Sequence, residues 1–232
     1  THCESSAASD VYKRQVMANG TNLKGESALY ASTQSAIIVK RPKSAVIYYI
    51  FTASDIHGIS YSVINMQANN GLGAIIQKNT NLSFKPSQKL AVTYHQNGED
   101  IWVATHYEKS DEFEAFKITQ TGVSQNSVLS KVGPKHTGGH GDMKFNQQGT
   151  KVGAVVQDQS LVSISDFNNT SGKFFNSKAS LLVIIKDLSI SKFGRLLGRA
   201  PVAITIFLEE ILFPLFSSII SDLFANLAVS LN

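Results

Sequence analysis

The chain has 232 residues, 43% of them hydrophobic and 16% charged, with 21 Lys and Arg against 17 Asp and Glu and a formal net charge of +4. Its basic residues are scattered, and only Lys40-Arg41-Pro42-Lys43 forms a cluster, in a predicted turn, so the basic stripe expected of a nucleic-acid binder is missing. The one cysteine, Cys3, excludes a disulfide framework and a thiolate metal site.

In chain order, residues 1–15 come first and stand apart. Ser5-Ser6-Ala7-Ala8-Ser9-Asp10-Val11-Tyr12-Lys13-Arg14-Gln15 can be back-translated codon by codon into a transposase adapter used for sequencing libraries. The segment resembles a translated adapter and is set aside from fold reasoning. Removing it takes away two basic and two acidic residues, so the net charge belongs to the rest of the chain.

The next stretch repeats itself three times at a spacing of roughly fifty residues, the period of a β-propeller blade. The first copy predicts strands at Ala36–Val39, Val46–Thr52, Ile59–Asn65 and Ala74–Lys78, with turns at Arg41–Ser44 and Asn69–Gly71. The second predicts Lys89–Tyr94, Ile101–His106, Glu112–Ile118 and Ser127–Val132, with turns at His95–Gly98 and Gln120–Gly122. The third predicts Asp142–Phe145, Lys151–Val156, Leu161–Asp166 and Phe174–Ser180, with turns at Gln147–Gly149 and Asn168–Gly172. Asn, Gly and Pro at the turns and β-branched or aromatic residues between them carry the assignment.

From about Leu181 the alternation stops. Leu208, Ile211, Leu212, Leu215, Phe216, Ile219, Ile220, Leu223, Phe224 and Leu227 recur at helical spacing, which predicts an amphipathic helix over the tail 181–232. Glu209, Glu210 and Asp222 interrupt any membrane-spanning window of about twenty residues, so no membrane span is expected. The tail reads as an out-of-frame or chimeric join, with an interaction helix as the alternative. The expected organisation is therefore an adapter-like segment (1–15), a partial β-propeller (16–180) and an apolar helical tail (181–232). The fold class is all-β, with about three four-stranded blades. Three blades do not close a ring of about four to eight, so the native protein is expected to be longer.

Several motifs within 16–180 resemble one known group of proteins. They include Val16-Met17-Ala18-Asn19-Gly20-Thr21-Asn22-Leu23-Lys24-Gly25, Ser32 to Pro42, Ile47-Tyr48-Tyr49-Ile50-Phe51-Thr52, and Asn97-Gly98-Glu99-Asp100-Ile101-Trp102. Asp166-Phe167-Asn168-Asn169-Thr170-Ser171-Gly172 adds to them. Together they resemble the propeller region of secreted gliding motility-associated C-terminal domain proteins. The resemblance implies export by a type IX secretion route, a secreted or cell-surface location, and a part in recognition or adhesion. It carries no catalytic residues over.

The richest local constellation is His136-Thr137-Gly138-Gly139-His140-Gly141-Asp142. Two imidazoles and a carboxylate could hold a metal, but the glycines argue against the helix that usually aligns such ligands, and a solvent loop is the preferred reading. Trp102, Ala104 and His106 should share one face of their strand and Ile101, Val103 and Thr105 the other. Trp102 is then core, or alternatively a stacking surface for a sugar or peptide at the propeller mouth. The acidic pairs Glu99-Asp100 and Asp111-Glu112 are weak glycosidase candidates. The candidate binding residues are Trp102, His106, His136, His140 and Asp142, with no metal and no cofactor. The function expected is a non-catalytic scaffold binding polysaccharide or protein through its loops, not an enzyme. A lactonase-like or glycoside-processing enzyme using Ser32, Thr33, Gln34, Tyr94, His95 and Asp142 is one rival, and an intracellular interaction propeller is the other.

Overall fold

A computed structural model describes residues 9–10, 15–25 and 34–181. Two-residue strands β1 (Ser9–Asp10) and β2 (Gln15–Val16) pair antiparallel. Three four-stranded antiparallel sheets follow. The first holds β3 (Ala36–Lys40), β4 (Ile47–Ser54), β5 (Gly58–Asn65) and β6 (Ala74–Ser83). The second holds β7 (Ala91–Tyr94), β8 (Ile101–His106), β9 (Ser110–Thr119) and β10 (Gly122–His136). The third holds β11 (Met143–Phe145), β12 (Lys151–Val156), β13 (Leu161–Asn168) and β14 (Lys173–Leu181). In each, chain order is also spatial order, so every sheet is a simple meander like a propeller blade. The only helical element among the described residues is a 3-10 turn at Gln157–Gln159.

The alternation read from the sequence sets how the sheets stack. Along β8, Ile101 and Val103 enter a core with Phe51, Ile59 and Tyr61 of the first sheet. Trp102 and Ala104 enter a second core with Val152, Phe167 and Phe174 of the third. A strand buried on both faces by two different neighbours is what makes stacked meanders cohere. The aromatic trio Tyr49, Phe51 and Tyr61, with ring centroids 5.8–6.3 Å apart, fills the first interface.

The predicted inner strands and turns are close to those observed, whereas the last strands run longer. β10 extends across Gly122–His136 against a prediction of Ser127–Val132, with register shifts between Val123 and Ser127 and between Lys131 and His136. Bulges let a strand continue where alternation in the sequence fades. Residues 17–24 lie against the first sheet. Met17 packs with Ile50, Ile64 and Ile75, Ala18 bridges Ala74, and Asn79 Nδ2 donates to the Asn22 carbonyl (2.9 Å). The helix expected at Leu208–Leu227 lies outside the described residues, as do Ser32 and Thr33.

One expectation is overturned. His136–Asp142 is not a solvent loop throughout. His136 closes β10 and is 1% exposed, and Gly139 is buried. The glycines serve close approach rather than mobility. A Cβ would fall 1.8 Å from Asp158 Oδ2 at Gly138, 2.0 Å from Glu108 Oε1 at Gly139, and 1.9 Å from the Val155 carbonyl oxygen at Gly141. The segment is a strap laid directly on its neighbours.

Candidate functional site

Each meander presents two ends. One carries the turns that follow the first and third strands of each sheet. The other carries the turns after the second strands, Asp55–His57, Tyr107–Lys109 and Gln157–Ser160, together with the crossings between sheets at 84–90 and 137–142. At this crossing end the Gln34 side chain ties the sheets together. Its Oε1 accepts from the Leu90 (3.3 Å) and Met143 (3.1 Å) amides, and its Nε2 donates to the Met143 carbonyl (3.3 Å).

The buried polar chemistry collects here. Lys89 is buried, and its Nζ donates to the Gly139 carbonyl at 2.6 Å and lies 3.5 Å from that of His140. Burial pulls its pKa down to about 8 against the opposing pull of Glu108, Asp158 and Asp142. Glu108 beneath Gly139 is raised, by burial first and then by the like charge of Asp55. His106 and His136 stack with ring centroids 3.6 Å apart and planes 20° from parallel. Burial, aided by the nearby Lys89 charge, holds His106 down to about 3, and burial with the His106 and Lys89 charges holds His136 far below the imidazole range. Both rings are therefore neutral. His106 Nδ1 sits 2.9 Å from the Tyr107 carbonyl, which can only accept, so the proton is on Nδ1 and Nε2 keeps a free lone pair.

Among the described residues, six buried side-chain polar atoms have no hydrogen-bond partner: Asp55 Oδ1, Ser60 Oγ, Gln88 Oε1, His106 Nε2, Glu108 Oε1 and His136 Nδ1. All six belong to the crossing end. Each such atom costs about 1–3 kcal/mol, and native proteins tolerate few of them.

The residues singled out from the sequence divide between the two ends. His106, His136, His140 and Asp142 come to the crossing end, but not as one ligand set. His136 stacks on His106, His140 Nδ1 faces Asp158 Oδ2 at 3.4 Å, and Asp142 pairs with Lys144 at 3.3 Å. No group of three or more His, Cys, Asp or Glu able to hold a metal exists among the described residues. Trp102 lies toward the turn end, 4% exposed, its Nε1 donating to the Asn169 carbonyl (2.8 Å) and its ring against Phe167. His95 and Tyr94 are at the turn end, with Tyr94 64% exposed. Three of the four carboxylates of the acidic pairs are engaged by lysines, Glu99 with Lys43, Asp100 with Lys117, and Glu112 with Lys85 and Lys131. Sequence reasoning missed Asp55, Gln88, Lys89 and Glu108. The only sequence signal was a lysine opening the apolar run Leu90-Ala91-Val92, where an interior charge is costly.

No family model and no curated protein matches the chain. Solved structures do. It is similar to the periplasmic gluconolactonase of Pseudomonas aeruginosa (12% identity over 63% of this chain and 39% of that one, TM-score 0.40). It is also similar to a functionally unknown protein from Desulfotomaculum acetoxidans (14%, 63% and 43%, TM-score 0.38). A third likeness is to an auxiliary nutrient binding protein from Bacteroides thetaiotaomicron (11%, 63% and 31%, TM-score 0.37). The chain thus spans less than half the length of these proteins. The expectation that the chain is not an enzyme is corrected here, because one of the structures it is similar to is that of an enzyme. With it goes the word non-catalytic in the expected function.

Proposed function

We propose that the chain is part of a secreted or cell-surface propeller protein that recognises its ligand at the crossing end. The surface location rests on the motif resemblance to gliding motility-associated proteins. The binding reading rests on one observation: all six unpartnered buried polar atoms gather at one end of the sheets. Four of the six, on Asp55, Gln88, Glu108 and His106, are acceptors, the His106 tautomer being fixed by the Tyr107 carbonyl. Asp55 and Glu108, only half-buried, bring carboxylate side chains to that end, and a polysaccharide, rich in hydroxyl donors, suits acceptors more fully than a protein surface does.

Hydroxyl-radical footprinting of the chain against purified polysaccharides and immobilised surface proteins tests this. Protection of Ile56, Phe84 and His140 is the expected result; protection confined to Leu72 and Tyr94 at the turn end rejects it. Fractionation of the source cells tests the location.

A second, catalytic reading has its own support. Lys89 and Glu108 both approach Gly139, with pKa values displaced toward each other, lysine down and glutamate up. Groups displaced in this way suit proton transfer near neutrality. A glycoside or lactone hydrolysis rate that falls in Glu108→Gln and is unaffected in Tyr94→Ala supports this reading; no rate in the intact chain ends it.

A further inference from the structure

The chain holds three methionines, and the fold places each differently. Met143 is 1% exposed in the core between the second and third sheets, and Met17 is 8% exposed where residues 17–24 lie on the first sheet. Met66, just after β5, is 39% exposed. Its thioether meets that of Met17 over one glycine. A Cβ at Gly73 would fall 3.0 Å from Met17 Cε, 3.3 Å from Met66 Sδ and 3.4 Å from Met17 Sδ, so the missing side chain lets both methionines close on the same spot.

Met17 is the one buried apolar side chain between residues 17 and 24, with the half-buried Leu23 behind it. The other attachments are single polar bonds. The Ile75 amide donates to the Ala18 carbonyl (3.0 Å), Asn19 Nδ2 to the Ile75 carbonyl (2.9 Å), Lys78 Nζ to the Thr21 carbonyl (2.8 Å) and the Lys24 amide to Asn79 Oδ1 (2.8 Å). Such bonds add little net stability, because water replaces them when they break. The segment is therefore held on the first sheet mainly through Met17, and Met66 shares the cover of that anchor.

We propose that Met66 is a sulfoxidation site, and that its oxidation by a peroxide loosens residues 17–24 from the first sheet. One oxygen of hydrogen peroxide bonds to Met66 Sδ as the peroxide O–O bond breaks. The thioether gives up two electrons, and the other oxygen leaves as water with both protons. A flexible apolar side chain has then become a polar one. The new oxygen either takes the space of Met17 Cε at Gly73 or turns the Met66 side chain outward. In both cases Met17 loses apolar cover and becomes the second sulfur to oxidise. Methionine sulfoxide can be reduced enzymatically, so the change is reversible. The device sits at the turn end of the first sheet and works whatever the crossing end binds.

Timed exposure of the intact 232-residue chain to hydrogen peroxide tests this, read by peptide mass spectrometry and by brief tryptic cleavage after Lys24. Met66 should oxidise first, Met17 should lag behind it, and Met143 should stay a thioether. Cleavage after Lys24 should speed up several-fold as Met66 sulfoxide accumulates, because local opening exposes the segment. Met66→Leu keeps the apolar volume without an oxidisable sulfur, and should remove the rise in cleavage and slow Met17 oxidation several-fold. Met66→Gln, polar and of similar length, should speed cleavage without peroxide, and methionine sulfoxide reductase should return the oxidised chain to slow cleavage. Met66 sulfoxide formed with cleavage after Lys24 unchanged overturns the proposal, as does Met17 oxidising as fast in Met66→Leu as in the parent chain. Faster cleavage accompanied by oxidation of Met143 also overturns it, since the sheets then open as a whole.

Discussion

The two ends of these sheets are built on opposite accounts of their polar groups. At the turn end, side chains close their own loops. Asn97 Oδ1 accepts from the amides of Glu99 (3.1 Å) and Asp100 (3.0 Å), Asn146 Oδ1 from Thr150 (2.8 Å) and Lys151 (2.9 Å), and Asn168 Oδ1 from Thr170 and Ser171 (3.0 Å each). These bonds join residues two to five apart, so each turn closes on itself, and fewer bonds tie turn to turn, as Arg41 Nε donates to the Gln120 carbonyl (2.8 Å) and the Gln96 amide to the Asn169 carbonyl (3.3 Å). At the crossing end the bonds join residues up to 109 apart, as Gln34 does, and several buried atoms find no partner. The turn end sets strand register, while the crossing end holds polar groups that only packed sheets can gather.

This contrast can be broken or sharpened by mutation and pH. The largest effect should come from Trp102→Ala, which empties the interface between the second and third sheets beneath Gly172, where a Cβ would already fall 2.6 Å from the indole. A loss of about 3–5 kcal/mol is expected in urea unfolding. A loss under about 1 kcal/mol would mean that the two sheets do not depend on each other.

Next comes Gly58→Ala. Its φ of +69° and the Ser83 carbonyl 2.1 Å from any Cβ leave neither conformation nor space for a methyl group. Destabilisation by about 2–3 kcal/mol is expected. In contrast, Gly98→Ala at the turn end, with φ +71° but open space around it, should cost about 1 kcal/mol. Equal losses would remove the distinction between a crowded end and an open one.

Acid should act on the crossing end through the histidine pair. His106 and His136 have pKa values lowered by burial, so between the ordinary imidazole value and about 3 the unfolded chain binds more protons than the folded one. Stability is then complete above about pH 6.5 and falls as pH drops, by about 1 kcal/mol per histidine between pH 6.5 and 5.5. Urea midpoints across that interval check the sign. Replacing His136 with Phe should roughly halve the slope; an unchanged slope would show that other groups carry it.

The smallest effect belongs to the turn end. Lys43 and Glu99 lie 2.9 Å apart and join the turns of the first two sheets, but both side chains are 55% exposed. A double-mutant cycle should return about 0.5 kcal/mol or less, and a coupling above 1 kcal/mol would show that this ion pair adds measurably to the hydrogen bonds that already join the turns, such as Arg41 to the Gln120 carbonyl.

The residue pattern alone made the strands legible because each turn and each alternation is local. Ile101–His106 was read with its true bounds, and the division of its side chains between two cores followed from a period of two. The site was legible only in part. His106, His136, His140 and Asp142 are conspicuous by residue type, yet the reading of His136–Asp142 as a solvent loop fails because Gly138, Gly139 and Gly141 suggest freedom where the fold needs close approach.

What the sequence determined by itself was therefore the meander of strands and turns, since hydrogen bonding in an Asx turn and the alternation of a strand are settled within a few residues. What only the tertiary structure decided was which polar groups are buried together. Lys89, Glu108 and His136 come from the crossing at 84–90, a turn of the second sheet and the end of its last strand, and their shifted acidities arise when the sheets pack, because desolvation depends on what surrounds a group rather than on what adjoins it in the chain.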